Sequence, residues 1–102
     1  QIKSAIHTLS GIKYAFIFGS YAKGEENAHS DIDLMIVGNV DIEKLDEMMA
    51  DLEKKLGRSI NYLTFDSPEF ARKRKKKDGF IMEVLKEKKF MLIGDENHLK
   101  KA

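Results

Sequence analysis

The 102-residue chain contains no cysteine. It therefore cannot form a disulfide scaffold or a thiolate zinc site, and its composition suits a reducing compartment such as the cytoplasm. No apolar run approaches the ~20 residues that span a bilayer, so we expect neither a transmembrane helix nor a membrane partner. Residues 1–4 lead into an amphipathic stretch rather than into the apolar core of a signal peptide. These absences favour a cytoplasmic location.

Proline is almost as scarce, since Pro68 is the single one in the chain. No repeat or low-complexity linker interrupts the sequence. A chain of this length buries roughly 65% of its unfolded surface, which supports one modest core. We therefore predict a single domain over residues 1–102, in which residues 94–102 form a polar tail.

The chain also has no large excess of charge of one sign. It contains 18 basic and 17 acidic side chains, so its formal net charge is +1. The two signs are nevertheless separated along the chain. Residues 19–56 carry four basic and ten acidic side chains, whereas residues 71–89 carry nine basic and three acidic ones. Such asymmetry says more about partners than the total charge does. It indicates two chemically different surfaces.

Short apolar runs alternate with segments of helical periodicity. Strands are predicted where apolar residues run together between polar or glycine-containing breaks, at residues 14–18, 32–37, 59–65 and 90–93. Helices are predicted at residues 2–9, 41–56, 67–77 and 80–85, with one further helical turn after Gly19. This alternation predicts an α/β (α+β) fold, a small mixed β-sheet of about four strands with helices packed on it. The strands at 14–18 and 32–37 are apolar on both faces and should be central.

Two helices have recognisable ends. Asp41 is a predicted N-cap, and Gly57 follows the same helix as the residue that stops it. Ser67 is predicted to cap the next helix, with Pro68 in the first turn, where its missing N–H costs nothing.

A glycine and a serine follow the first strand. In Phe18-Gly19-Ser20 the strand passes through glycine into a serine that opens a helical turn. Glycine lets a backbone come close to a ligand. Free N–H groups at a helix start bind phosphate, and the serine hydroxyl adds a donor. An ordinary turn with a serine cap has the same local sequence, so this motif alone decides nothing.

Two aspartates open the second strand. Side chains two residues apart in a strand point to one face, so the carboxylates of Asp31 and Asp33 converge, while Ile32 and Leu34 point to the other face. Unpaired, the carboxylates would repel each other and be costly to bury. A divalent cation resolves this conflict, and Mg²⁺ is the expected one because it binds a few carboxylates together with phosphate oxygens. A water-facing strand edge is the alternative, which the apolar surroundings of Asp33 disfavour.

The spacing joins the two motifs, since ten residues separate Gly19-Ser20 from Asp31-x-Asp33. A phosphate-binding turn and a carboxylate pair on neighbouring strands would hold a metal-bound nucleoside triphosphate between them. With Tyr21-Ala22-Lys23-Gly24 after the turn and Ser30 before the first aspartate, the chain resembles the minimal nucleotidyltransferases of the DNA polymerase beta-like nucleotidyltransferase superfamily. The resemblance extends from residue 3 to about residue 93.

The resemblance implies a nucleotidyltransferase fold and a reaction in which a hydroxyl attacks the α-phosphorus of ATP or another NTP. It implies that Asp31 and Asp33 are catalytic and hold Mg²⁺, in a site that can take two metals. It further implies nucleotide contacts from a second group: Gly19, Ser20, Lys23 and Ser30. The implied acceptor is a hydroxyl of a protein or small molecule. A HEPN-type partner is also implied, since some relatives in toxin–antitoxin pairs attach AMP to a tyrosine-containing segment of that partner.

One position departs from the family pattern. The superfamily usually supplies a third carboxylate from the following strand, and by order and flanking pattern Asn61 occupies that position here. Asparagine offers a carbonyl oxygen to a cation but carries no charge and cannot act as a base. Three interpretations stay open: an enzyme in which Asn61 is an altered metal ligand, a catalytically weak nucleotide-binding or antitoxin-like module, and an enzyme whose partner supplies the missing group.

Residues 72–77 are six consecutive basic residues. Contacts between them and nucleic-acid phosphates would give a strongly salt-dependent affinity. No aromatic residue is interleaved for stacking, so single-strand recognition is not supported. A solvated helix end, an acidic partner or the triphosphate would also account for the run. Nucleic-acid binding through residues 72–77 is therefore a further alternative, ranked last.

Overall fold

The computed structural model describes residues 2–22, 24 and 31–102. The helices in this part of the chain are α1 (Ile2–His7), α2 (Gly19–Ala22), α3 (Ile42–Leu56), α4 (Ser67–Lys75), α5 (Gly79–Lys86) and α6 (Glu96–Leu99). The strands are β1 (Ile12–Phe18), β2 (Ile32–Gly38), β3 (Ile60–Phe65) and β4 (Phe90–Ile93). Among the described helices, none has both the length and the apolar composition that a membrane span requires.

The four strands form one mixed sheet in the order β3-β2-β1-β4. β1 pairs antiparallel with both β2 and β4, whereas β2 and β3 run parallel. α3 makes the crossover that a parallel pair needs. The predicted fold is confirmed, and the two strands that are apolar on both faces lie at its centre.

The sheet separates two apolar layers, because successive side chains of each strand point to opposite faces. α1 and α3 cover the first face, whose buried residues include Ile6, Ile32, Leu34, Ile36, Leu45, Met49 and Leu52. α4, α5 and α6 cover the second face, whose buried residues include Phe16, Phe18, Met35, Val37, Phe70, Ile81, Val84 and Leu99. By alternation with Ile32 and Leu34, the side chains of Asp31 and Asp33 belong to the second face.

The helix ends follow from side-chain caps. The carboxylate of Asp41 accepts the backbone N–H of Glu43 at 3.0 Å, and Gly57 ends α3 with φ +67, as predicted. The predicted cap of α4 was wrong by one residue: Asp66, not Ser67, accepts the backbone N–H of Glu69 at 2.7 Å. A carboxylate makes a stronger, charge-assisted hydrogen bond to that N–H than a serine hydroxyl does.

Residues 94–102, predicted as a polar tail, pack onto the second face of the sheet. Asp95 caps α6, and Leu99 on that helix is fully buried. The guanidinium of Arg74 donates hydrogen bonds to the backbone carbonyls of Lys101 and Ala102. Although the segment is polar in composition, the burial of Leu99 and the hydrogen bonds from Arg74 attach it to the domain.

Lys89 lies buried between α5 and α6. Its ammonium donates to the carbonyl oxygens of Leu85 at 3.0 Å and Glu87 at 2.7 Å, and it pairs with the carboxylate of Glu96 at 3.1 Å. An ammonium has three N–H donors, so each has a partner here. These bonds compensate the burial of the charge and tie the end of α5 to α6.

Candidate functional site

The candidate site lies where β1 ends and where β2 and β3 begin. The strand register places Phe18 opposite Asp33, and Asp33 opposite Asn61. These residues form a row across three neighbouring strands, which lie ~4.8 Å apart in a sheet. The fold thus brings the end of the first strand, the aspartate pair and Asn61 to one place.

Gly19 closes one side of Asp33. A Cβ atom added at Gly19 would overlap Oδ2 of Asp33, and the φ of Gly19 is +75, in the left-handed region. Both observations require glycine at this position. Since α2 begins at Gly19, the start of this helical turn adjoins the carboxylate.

Three of the other predicted nucleotide contacts lie wholly or partly outside the described residues. The backbone of Ser20 lies in α2, but its side chain lies outside the described residues. Lys23 and Ser30 also lie outside them.

Asn61 closes the opposite side of the aspartate pair. Its side-chain amide Nδ2 donates hydrogen bonds to Oδ2 of Asp31 at 3.1 Å and to Oδ1 of Asp33 at 3.4 Å. The amide therefore bridges the two carboxylates and reduces their mutual repulsion without adding charge. Asp33 is half-buried, whereas Asp31 and Asn61 are exposed.

The donor set of this cluster fits a hard divalent cation. The carboxylates of Asp31, just before β2, and of Asp33, within it, and the carbonyl oxygen of Asn61 are ligands that Mg²⁺ accepts, with phosphate oxygens or water completing its shell. No group of three His, Cys, Asp or Glu side chains that could hold a metal occurs within residues 2–22, 24 and 31–102. The available set is therefore two carboxylates plus one amide, which is one charge short of a three-carboxylate site.

An open cleft of about 530 Å³ extends from Asp33 along β3. Its lining combines polar and apolar side chains: Phe18, Asp33, Ile60, Asn61, Tyr62, Leu63 and Phe80. Phe80, at the start of α5, packs edge-on against Phe18 with 6.1 Å between ring centroids. The sequence interpretation missed Leu63 and Phe80 as site residues, although Leu63 alternates with Asn61 along β3 and so shares its face.

The opposite face of β3 is tied to α3. The hydroxyl of Tyr62 donates to Oδ1 of Asp46 at 2.5 Å, and the backbone N–H of Ile60 donates to Oε2 of Glu53 at 2.6 Å. The hydrogen bond to Asp46, together with partial burial, raises the pKa of Tyr62 to about 12. These bonds hold β3, and with it Asn61, in register with β2.

The basic run lies at the end of α4, as predicted. It shares one surface with Lys100 and Lys101, because the guanidinium of Arg74 donates a hydrogen bond to the backbone carbonyl of Lys101, which follows α6. We call this surface the basic face; its exposed members are Arg72, Lys75, Lys76, Lys77, Lys100 and Lys101. The ion pair of Lys100 with Glu96 spans 3.8 Å, while Arg72, Lys75, Lys76 and Lys77 form no ion pair with a described residue.

Comparison with known protein families identifies residues 1–97 as a match to the family model described as "Polymerase beta, Nucleotidyltransferase". The chain belongs to this nucleotidyltransferase family. The resemblance seen in the sequence motifs is thereby confirmed, and it extends over almost the whole chain.

Two nucleotidyltransferase relatives come from Methanocaldococcus jannaschii, and each is named as a proposed protein adenylyltransferase. One is 39% identical over 62 residues, covering 61% of this chain and 62% of its own length. The other is 39% identical over 59 residues, covering 56% of this chain and 63% of its own length. The match thus spans about three-fifths of each of these relatives.

Solved structures support the nucleotidyltransferase fold. A chain of a toxin–antitoxin complex with AMP-PNP superposes with a TM-score of 0.65 at 14% identity, covering 99% of this chain and 82% of that one. A chain of a mutant MntA–HpeT toxin–antitoxin complex gives 0.69 at 13% identity, covering 98% and 78%. A chain from the complex of a tri-AMPylated Shewanella oneidensis HEPN toxin with an MNT antitoxin gives 0.57 at 17%, covering 95% and 69%. At these identities the likeness establishes the fold.

Proposed function

We propose that residues 1–102 form one domain that binds a magnesium-bound NTP, most suitably ATP, and transfers its nucleotidyl group to a hydroxyl of a partner protein. The observation that carries the proposal is the position of Asp33 between Gly19 and the Asn61 amide. A glycine turn that begins a helix and a pair of carboxylates are in contact, which is the arrangement that a metal-bound triphosphate needs.

In this proposal the residues have separate roles. Asp31 and Asp33 would hold the cation, with Asn61 as a further oxygen ligand once its amide turns. The turn at Gly19 and Ser20, together with Lys23 and Ser30, would bind the phosphates. A bound divalent cation would draw charge from the phosphate oxygens and stabilise the departing pyrophosphate.

The proposed reaction is an in-line displacement at phosphorus. The acceptor oxygen forms a bond to the α-phosphorus, the bond from that phosphorus to the bridging oxygen breaks, and pyrophosphate leaves with the electron pair. The hydroxyl proton passes to water, because the amide of Asn61 cannot accept it. The chain contributes position and charge rather than a covalent intermediate.

Relatives support the proposed acceptor and partner. The two archaeal relatives are named for adenylyl transfer to proteins, and one solved neighbour pairs an AMPylated HEPN toxin with an MNT antitoxin. They support a protein hydroxyl as the acceptor and a HEPN-type partner in a toxin–antitoxin pair. With Asn61 in place of a carboxylate, slow transfer or nucleotide binding without turnover is the alternative form of the same proposal.

The decisive experiment supplies the chain with ATP labelled at the α-phosphate, Mg²⁺ and a HEPN-type partner protein. We expect label on the partner, and its loss in the Asp31→Ala/Asp33→Ala double variant. Asp51→Ala, which removes an exposed carboxylate of α3, is the matched control and should keep transfer. Label transfer that survives the double substitution would overturn the site assignment.

A second candidate function is binding of nucleic-acid phosphates by the basic face. The observation that favours it is the hydrogen bond from Arg74 to the Lys101 carbonyl at 3.3 Å, which adds Lys100 and Lys101 to the basic end of α4. The surface is rich in charge and carries none of the exposed large apolar side chains of the described chain. Phosphate backbones need charge alone, whereas protein interfaces usually centre on apolar or aromatic anchors.

A further inference from the structure

The strand β3 lies at one end of the sheet order, with β2 on its inner side. The backbone N–H of Ile32 donates to the carbonyl of Ser59 at 2.9 Å. In a parallel pair every second residue bonds to the neighbouring strand, so the backbone groups of Ile60, Tyr62 and Thr64 point away from β2. No hydrogen bond from the described part of the chain reaches the outward groups of Tyr62 and Thr64. This edge of the sheet is therefore open.

The opposite edge strand, β4, is protected in ways that β3 is not. β4 has four residues, its register with β1 is interrupted, and the ring of His7 donates a hydrogen bond to the carbonyl of Leu92 at 3.1 Å. Short length, bulges, proline and lysine are the usual means by which proteins protect an edge. β3 has six residues, pairs with β2 without a register shift, and contains no proline, lysine or arginine. A regular edge strand of this kind is a template for a further strand.

The same edge presents an exposed apolar side chain. Leu63 is 43% exposed on the second face of the sheet, midway between Asn61 and Phe65 along β3. Burial of this side chain against another apolar surface would be favourable. The edge thus offers both unpaired backbone groups and an apolar contact.

We propose that the β3 strands of two copies of this chain pair antiparallel about a two-fold axis and join the two four-stranded sheets into one continuous sheet. A two-fold axis normal to the sheet relates two edge strands in this antiparallel way, and each copy uses the same surface. This inference goes beyond the proposed function and does not depend on it.

Ile60 selects the register of the pair. Its N–H is already bound by the carboxylate of Glu53 at 2.6 Å. A pair in which Tyr62 of one copy lies opposite Thr64 of the other satisfies both outward backbone groups of each residue and leaves Ile60 undisturbed. Leu63 then lies at the two-fold axis, opposite its own copy. It forms a non-hydrogen-bonded pair whose Cα atoms are about 4.5 Å apart, so the two exposed leucines bury each other.

Charge favours a second copy as the occupant of this edge. In the selected register Asn61 lies opposite Phe65 of the second copy, so the start of each β3 meets the end of the other. At the start are the two carboxylates that the Asn61 amide bridges. At the end, the ammonium of Lys73 lies 5.9 Å from the centroid of the Phe65 ring. Each aspartate pair therefore faces a cation of the other copy, and the two-fold axis repeats this attraction.

The first test measures the mass of the chain by sedimentation equilibrium from micromolar to millimolar concentration, without ATP. We expect a dimer of twice the 11.7 kDa mass of one chain. Thr64→Pro removes an outward N–H, which an edge strand tolerates, and should weaken dimerisation more than about tenfold. Thr64→Val keeps the N–H and should dimerise like the unchanged chain. A monomer at every concentration, or equal dimerisation of the two variants, would overturn the proposal.

A second variant covers the case in which Thr64→Pro fails to fold. Leu63→Asp places two carboxylates opposite each other at the two-fold axis and should weaken dimerisation at least about tenfold. Phe90→Asp introduces the same charge at a residue of β4 that is 47% exposed, and it should leave dimerisation unchanged. Equal effects of these two substitutions would contradict pairing through β3.

Cysteine cross-linking tests the register, because the chain has no cysteine of its own. Leu63→Cys should form a disulfide-linked dimer under mild oxidation, since the paired Cα atoms fall within the range of about 4.4–6.8 Å that a disulfide requires. Phe90→Cys should cross-link at least about tenfold more slowly, because collision alone brings its thiols together. Equal rates for the two variants would refute the position of Leu63 at the axis.

Hydrogen exchange distinguishes a second copy from another occupant. Exchange of the backbone amides of Tyr62 and Thr64 should slow as the concentration of the chain rises. A chain that stays monomeric, and in which these amides become protected only after a HEPN-type partner is added, would assign the edge to that partner and overturn the proposal.

Discussion

Asp33 has two neighbours of opposite character. Gly19 brings its backbone against one side of the carboxylate and leaves no room for a side chain, whereas Asn61 donates an amide N–H from the other side. The first contact fixes where the carboxylate lies, and the second reduces its repulsion with Asp31 without a charge. Both effects can be tested by single substitutions.

Asn61→Asp replaces the bridging amide by a third carboxylate. We expect the affinity for Mn²⁺, a spectroscopic substitute for Mg²⁺, to rise about tenfold, because ligand charge count sets the strength of hard-cation sites. Titration followed by electron paramagnetic resonance measures it. Asn39→Asp, at an exposed asparagine after β2, is the control. Equal affinities in the two variants would contradict a ligand role for position 61.

Gly19→Ala adds a methyl group where Oδ2 of Asp33 already lies. Gly57→Ala is the matched control, since its φ of +67 carries the same backbone strain but a Cβ there meets nothing within 4 Å. Backbone strain should cost both variants about 1–2 kcal/mol in the free energy of unfolding, and Gly19→Ala should cost more because its methyl group also meets Oδ2 of Asp33. Calorimetric titration with Mg–ATP should show weaker binding for Gly19→Ala alone. Unchanged ATP affinity in that variant would remove Gly19 from the proposed nucleotide site.

Tyr62 gives a prediction about pH. The hydrogen bond to Asp46 raises the pKa of Tyr62 to about 12, above the unfolded value of 10.0. The protonated form is thus favoured by folding, so this stabilisation is complete below about pH 10 and is lost as the pH rises towards about 12. Ultraviolet titration should show a late phase from Tyr62, which disappears in Tyr62→Phe and remains in the control variant Tyr14→Phe. A late phase that persists in Tyr62→Phe would refute the assignment.

The sequence predicts the polar residues of the candidate site better than it predicts the apolar residues that line the cleft beside it. Asp31, Asp33 and Asn61 follow from residue type, spacing and strand order. The bridge made by the Asn61 amide depends on the register of two strands 28 residues apart, which no local pattern encodes. Phe80 lies in the helix predicted at residues 80–85, and only the packing of α5 against β1 leaves it half exposed beside the cleft.

At the scale of elements, helix ends were predictable where a single side chain decides them. Asp41 and Gly57 bound α3 as predicted, because cap chemistry is local. α4 begins after Asp66 instead of Ser67, since two neighbouring residues compete for the same N–H and the stronger acceptor wins. α6 has four residues and one buried leucine, which is too short a pattern for helical periodicity to appear.

Leu99 tests whether α6 is part of the folded core. Leu99→Ala should lower the free energy of unfolding by about 2–5 kcal/mol, because the residue is fully buried on the second face of the sheet. Urea denaturation measures the loss. Asn97→Ala, on the exposed side of the same helix, should change stability by about 0.5 kcal/mol or less. Similar small effects in both variants would show that residues 94–102 do not stabilise the domain.

At the scale of the whole molecule, the near-zero net charge conceals two separate surfaces. The first half of the chain carries the aspartate pair, and the basic face combines the end of α4 with Lys100 and Lys101. Charge arranged in this way steers partners even when the total is close to neutral.

The basic face predicts salt-dependent binding to a DNA duplex. Affinity measured by fluorescence anisotropy should fall with salt with a logarithmic slope of about −4, as expected for four or five phosphate contacts. Substitution of Lys75, Lys76 and Lys77 by glutamate, which reverses three charges, should weaken DNA binding more than about tenfold. The matched control reverses Lys44, Lys54 and Lys55 on α3, with the same change in net charge. Equal losses in both triple variants would attribute binding to total charge instead of to this face.

The enclosure of Lys89 has a practical consequence for chemical labelling. Reagents that acylate amines need an accessible, unprotonated nitrogen, and this one is covered and bonded on all three sides. The lysines of the basic face, in contrast, lie open to solvent. Modification of Lys89 would therefore proceed only as fast as α6 separates from α5, and its rate in a mass-spectrometric time course would report how often the C-terminal part of the molecule opens.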